Sequence, residues 1–191
     1  MKRKQKRVVI LVGLETIKNP DGSVKFHADT FWDNACTWKH EHPEHNLKIL
    51  DARAFKDTKN PFASIWDELI KGKIDTLFYF GQSDDMILYL ISRYRLELET
   101  SQRFIDFSTD WNAIVFNPGA EIYLCGCHAG GREGKKFDVC IAQDIANKTK
   151  VDVFAYVSKS YQKENPKGVF HQVSDDKIGF VKFTSKEVCG G

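Results

Sequence analysis

The chain contains no internal repeat, no low-complexity tract and no apolar run approaching the roughly twenty residues that span a bilayer. Those absences exclude a repeat array, a biased linker and a helical membrane anchor. An excess of one charge is also missing. The 28 Lys plus Arg against 26 Asp plus Glu leave a net charge of +2, so neither nucleic acid nor a membrane surface is an expected partner. The one basic cluster, residues 2–7, reads as a solvated flexible tail. No small-x-small cleavage site follows Val8-Val9-Ile10-Leu11-Val12, and Glu15 comes close behind, which favours a buried first strand over a signal peptide. Disulfide-framework spacing is absent too. Cys36, Cys125, Cys127, Cys140 and Cys189 form an odd set, which points to a reducing, cytoplasmic setting.

What is present suits one globular core. With 191 residues, 42% of them hydrophobic, the chain is expected to form a single domain over 1–191, with a tail at 1–7 and a C-terminal loop and hairpin at 158–191. Strand-like runs at 8–12, 47–50, 76–80, 121–126 and 151–157 alternate with helix-like segments, the pattern of an α/β protein with a mainly parallel sheet in a three-layer α/β/α sandwich. Phe31, Trp32, Ala35, Cys36 and Trp38 fall at helical spacing behind Asp29 as a cap. Asn60-Pro61 starts a helix carrying Phe62, Ile65, Trp66, Leu69 and Ile70. Asp84 is read as the cap of a helix carrying Met86, Ile87, Leu90, Ile91, Tyr94 and Leu98. Phe137, Cys140, Ile141 and Ile145 mark another helix, and Asn117-Pro118-Gly119 marks a turn ahead of the fourth strand. Residues 158–168 read as an exposed loop, and 170–183 as a short hairpin or a sixth strand.

In open sheets of this kind ligands bind beyond the carboxyl ends of the strands. Gly13, Gln82, Cys127 and Ser158 all fall there. Cys127 ends the run Glu121-Ile122-Tyr123-Leu124-Cys125-Gly126 and opens His128-Ala129-Gly130-Gly131, so a strand delivers a thiol to a glycine-rich turn. Backbone N–H groups and a following helix at such a place favour the thiolate, the nucleophilic form. Cys125, two residues earlier, reads as a small core residue.

The blocks Leu77-Phe78-Tyr79-Phe80-Gly81-Gln82-Ser83 and Ile122-Tyr123-Leu124-Cys125-Gly126-Cys127-His128-Ala129-Gly130 resemble the two signatures of the caspase-like cysteine peptidases, the clan of caspases, legumains, gingipains and separases. There, an apolar strand leads to His beside Gly, and a later apolar strand leads to the nucleophilic Cys followed by small residues. The resemblance covers residues 8–157 and implies a caspase-like fold. It also implies thiol-dependent hydrolysis of a peptide or protein substrate through an acyl-enzyme on Cys127. The backbone N–H of Cys127, with that of Ser83 or Gly81, would form the oxyanion hole. Gln82 takes the place of the histidine. Substrate-pocket candidates implied by the resemblance are His27 and the stretch around Ser158, with Asp84 near the same rim.

Glutamine holds a hydrogen bond but accepts no proton near neutral pH, so it cannot serve as the general base. Three consequences stay open: a pseudoenzyme that binds a peptide or partner, an inactivated variant of a Gly-His-Ser enzyme, or recruitment of another histidine such as His27 or His128. Cys127 to Arg132 also resembles a cysteine-phosphatase loop, with four intervening residues where that loop has five. No metal and no other cofactor is expected. His40-x-His42-x-x-His45 matches no common zinc spacing, and Pro43 interrupts any helix there.

Overall fold

The computed structural model describes residues 5–13, 16–18, 24–26, 28–55, 60–90, 104–131, 140–157, 160–164, 170–174 and 180–186. In chain order the elements are β1 (Arg7–Val12), β2 (Thr16–Lys18), β3 (Val24–Phe26), α1 (Ala28–Glu41), β4 (Asn46–Asp51), α2 (Pro61–Leu69), β5 (Ile74–Phe80), β6 (Leu88–Tyr89) and β7 (Phe104–Ile105). They continue with β8 (Phe116–Leu124), α3 (Ile141–Thr149), β9 (Asp152–Tyr156), β10 (Ser160–Glu164), β11 (Phe170–Ser174) and β12 (Phe180–Phe183). One six-stranded sheet runs β12-β9-β8-β5-β1-β4. Its pairs are parallel except for β9 with β12. The α/β/α expectation therefore holds.

Side-chain alternation splits the core in two. Val9, Leu11, Leu77, Tyr79, Ile122, Leu124, Val153 and Ala155 share one face and form a cluster with Ile65 and Leu69 of α2 and Ile141 and Ile145 of α3. On the opposite face Val8, Ile10, Val12, Phe80 and Cys125 pack with Ala35 of α1 and, around them, Phe31, Trp38, Phe78 and Tyr123. Asn60 caps α2 as its sequence indicates, its Oδ1 accepting from Ala63 N at 3.0 Å, with Pro61 in the first turn.

Four local expectations need correction. Asp29 lies inside the first turn of α1 rather than ahead of it. Asn117-Pro118-Gly119 is not a turn before β8 but an irregularity within it: the register passes from Ile74↔Phe116 to Thr76↔Glu121, and Gly119 at φ 75° absorbs the extra residues. No helix begins at Asp84. Its Oδ1 accepts from the N–H groups of both Met86 and Ile87 as an N-cap would. But Asp84 N donates to Ile87 O and Tyr89 N to Gln82 O, so the chain folds back on Ser83 as a hairpin instead of continuing as a helix. Residues 91–98 of that expected helix lie outside the described residues. Finally, the stretch read as loop contains β10, which pairs antiparallel with β11; the sixth strand expected as one alternative within 170–183 is present as β12.

Candidate functional site at the carboxyl rim

Adjacent parallel strands bring the two strand-end blocks together. β5 and β8 pair through Tyr79↔Leu124, and the Cys125 N–H donates to Tyr79 O at 2.8 Å just past the end of β8. Beyond that point Ser83 Oγ donates to the carbonyl of Cys127 at 2.8 Å, joining the loops directly. Gly126 is what permits this approach. A Cβ there would fall inside the contact radius of Ser83 Oγ, 2.8 Å from Ser83 Cβ and 3.0 Å from Gly81 O.

Tyr79 positions the other half of the rim. Its side chain is buried, and its hydroxyl lies 2.5 Å from Gln82 O and 2.8 Å from Tyr89 O. The hydroxyl occupies the space a Cβ on Gly81 would need. Gly13, whose N–H donates to Phe80 O at 2.8 Å, faces Tyr89 O with the same lack of room. Tyr79 therefore ties the ends of β1 and β5 to the hairpin after Ser83. The sequence reading treats it only as one residue of an apolar strand. The available signal was its hydroxyl, because a tyrosine buried in an otherwise apolar run needs a hydrogen-bond partner.

The hairpin itself is an antiparallel bridge between Ser83 and Leu88 whose two bonds run from Asp84 N to Ile87 O and from Tyr89 N to Gln82 O. The Ser83 amide is not used in it. Gln82 is exposed at the rim, while Asp84 directs its carboxylate into its own turn, with Tyr89 Oη donating to Oδ2 at 3.0 Å. His27 and Ser158 lie outside the described residues, as does Arg132 of the phosphatase-like loop.

On the β8 side, Cys127 is half-buried and Cys125 buried. Burial pushes the Cys125 thiol up, which keeps it protonated and inert. His128 stands in the left-handed region at φ 57°, its Nδ1 3.4 Å from Val157 O, and its carbonyl accepts from Gly131 N at 2.8 Å. Its ring is thus turned toward the end of β9. The start of α3 fastens both loops from below: Ile141 N donates to Asp85 O at 2.9 Å and Ala142 N to Ala129 O at 3.2 Å. These two donors are among the first amides of α3, groups that have no partner within a helix. The rim is therefore held by α3, by Tyr79 and by the Ser83 bond, with Cys127 and Gln82 at its outer edge.

No family model matches the chain, and no curated protein matches it either.

Proposed function

We propose that the chain is a caspase-like cysteine-peptidase domain that takes an extended peptide across the carboxyl rim, with Cys127 as the nucleophile and Gln82 in the position of the general base. The observation that carries this reading is the 2.8 Å bond from Ser83 Oγ to Cys127 O, which couples the two strand-end blocks on neighbouring strands. In the reaction the Cys127 thiolate adds to the peptide carbonyl, and amides of Cys127 and Ser83 receive the oxyanion. The tetrahedral adduct then expels the amine, which takes its proton from solvent water, and the acyl-thioester left on Cys127 is cleaved by water to the carboxylic acid and the free thiol. Gln82 offers neither a base for the thiol nor a proton for the amine, so turnover is slow and peptide binding is the more robust property of the site. The substitution itself favours a second reading, a non-catalytic domain that recognises a peptide or protein partner in the same cleft.

Alkylation separates the two. With iodoacetamide or an acyloxymethyl-ketone peptide followed by peptide mapping, an active thiol labels rapidly at Cys127, ahead of half-buried Cys36 and far ahead of buried Cys125 and Cys140. Equal, slow labelling of Cys127 and Cys36 would sink the nucleophile assignment. Gln82→His is expected to raise hydrolysis of a broad peptide library by at least about a hundredfold, the low end of what a positioned acid/base group contributes. No gain, with Cys127 still selectively labelled, leaves the peptide-binding reading in place.

A further inference from the structure

At the opposite rim of the sheet, the chain leaves α1 and enters β4 through His42-Pro43-Glu44-His45. The turn is tight: His42 N donates to Trp38 O at 3.1 Å and His45 N to His42 O at 3.3 Å. It places Glu44 Oε1 3.6 Å from His42 Nδ1 and 3.5 Å from His45 Nε2. One ligand atom from each of the three side chains lies within 4.8 Å of the other two. Trp38, in the last turns of α1, fixes both imidazoles: its ring centroid is 4.2 Å from that of His42 and 5.8 Å from that of His45, and the two imidazole planes are 8° apart.

We infer that His42, Glu44 and His45 form a binding site for a divalent first-row transition-metal ion, zinc being the best match. Zinc takes imidazole nitrogen and carboxylate oxygen at about 2.0–2.2 Å, which in a tetrahedron sets neighbouring donors roughly 3.3–3.5 Å apart. The two edges to Glu44 are within a few tenths of an ångström of that spacing, and the edge between the histidines is at most 4.8 Å, so the imidazoles must turn toward each other to close on the ion. Two neutral imidazoles and one carboxylate suit a borderline ion better than calcium or magnesium, which prefer all-oxygen sites. Three protein donors leave the fourth position to water. The spacing escapes the sequence patterns because the third ligand is Glu44, whereas the sequence draws attention to His40. That residue is exposed on α1, one turn from the site. Pro43, which excludes a helical zinc motif, is what turns the chain so that its neighbours converge. The site lies at the amino end of β4, away from Cys127, so the ion pins the turn that joins α1 to β4 and takes no part in chemistry at the thiol.

The test uses the untagged, metal-stripped chain. Competition against a chromophoric chelator is expected to show one zinc ion bound with micromolar affinity, and a melting temperature about 5 °C higher or more at ~100 times the dissociation constant. Cobalt or copper is expected to quench fluorescence from Trp38, and Trp38→Phe removes that part of the quenching. His42→Gln, His45→Gln and Glu44→Gln should each weaken binding by at least about tenfold, a loss that even an outer-shell partner can produce. His40→Gln should leave it unchanged. Each variant is first shown to melt like the parent without metal, and Glu44→Gln, an isosteric change at an exposed position, keeps the test open if a histidine variant fails to fold. Binding that survives the histidine and glutamate substitutions lies elsewhere on the chain and overturns the inference. Absence of binding, or equal loss in His40→Gln, overturns it too.

Discussion

The two faces of the central sheet are built from the same strands but by different means. Under α2 and α3 the face is aliphatic and closed: Ile122, Val153 and Ala155 are completely buried and Leu77 nearly so. Beyond α1, which packs against β1, β4 and β5, the other face continues as a row of rings. Phe78 stacks on Tyr123 at 5.0 Å and Tyr123 on Phe154 at 4.9 Å, while Phe180 leans on Tyr156 at 4.3 Å. Phe78, Tyr123 and Phe154 are only half-buried, and Phe180 is 37% exposed. The aliphatic face draws its stability from removal of area from water. The aromatic row takes part of its stability from ring–ring geometry, and its polar edges stay wet. Tyr123 shows the mixture: Glu121 Oε2 accepts its hydroxyl proton at 3.0 Å, and burial first, then that bond, pushes the phenol up to about 12.

Neighbouring residues of β8 put this contrast to its hardest test. Ile122→Ala removes a fully buried side chain from the closed face and should cost about 2–5 kcal/mol, read as a shift of the urea midpoint without a change in slope. Tyr123→Leu keeps an apolar group and discards two stacks, an edge-to-face contact with Phe180 and one hydrogen bond at a half-exposed position. Its expected cost is about 1–3 kcal/mol, less than that of Ile122→Ala, from three ring pairs worth roughly 0.5–1.5 kcal/mol each, reduced because the position is half exposed and Leu keeps apolar contact. A Tyr123→Leu penalty equal to that of Ile122→Ala would show that the aromatic face is as tightly sealed as its opposite and would end the distinction.

How far each face can be read in the sequence follows from the same contrast. The closed face is written in apolar runs such as Leu77-Phe78-Tyr79-Phe80. While α1, α2 and α3 showed in the helical spacing of their apolar residues, β1, β4, β5, β8 and β9 were visible in those runs. Which residues point to which face was not, because a run without polar alternation carries no period-two signal. Loops were harder. The Asp84 carboxylate holds two amides in a local turn whether or not a helix could follow, and an Asn-Pro-Gly signal marks a left-handed glycine without saying whether the strand ends there. At the rim, the meeting of Gly81-Gln82-Ser83 with Cys127 was legible because two apolar runs end there in small residues on neighbouring strands. The roles of Tyr79 and Gly126 depend on contacts between β5, the end of β8 and the segment 81–89, and no local pattern encodes those.

The smallest effect concerns the edge of the closed face, where β4 gives way to solvent. Lys48 of β4, opposite Val9 in the register, and Lys71 just beyond α2 both pair with the Glu68 carboxylate of α2. The Lys48 ammonium first, then that of Lys71, holds this carboxyl down at about 2, against an ordinary 4.5. A folded-state value below the unfolded one means the stabilisation is fully present above about pH 4.5 and is lost as the pH falls through about 2. Glu68→Gln should therefore make the protein slightly less stable than the parent at neutral pH, with the two denaturation curves converging as the pH drops through that window. Because the lysines reach solvent, salt should narrow the gap at neutral pH. A gap that persists unchanged below pH 2 would mean that Glu68 supports α2 by packing over the aliphatic face rather than by charge, extending the closed face to the β4 edge.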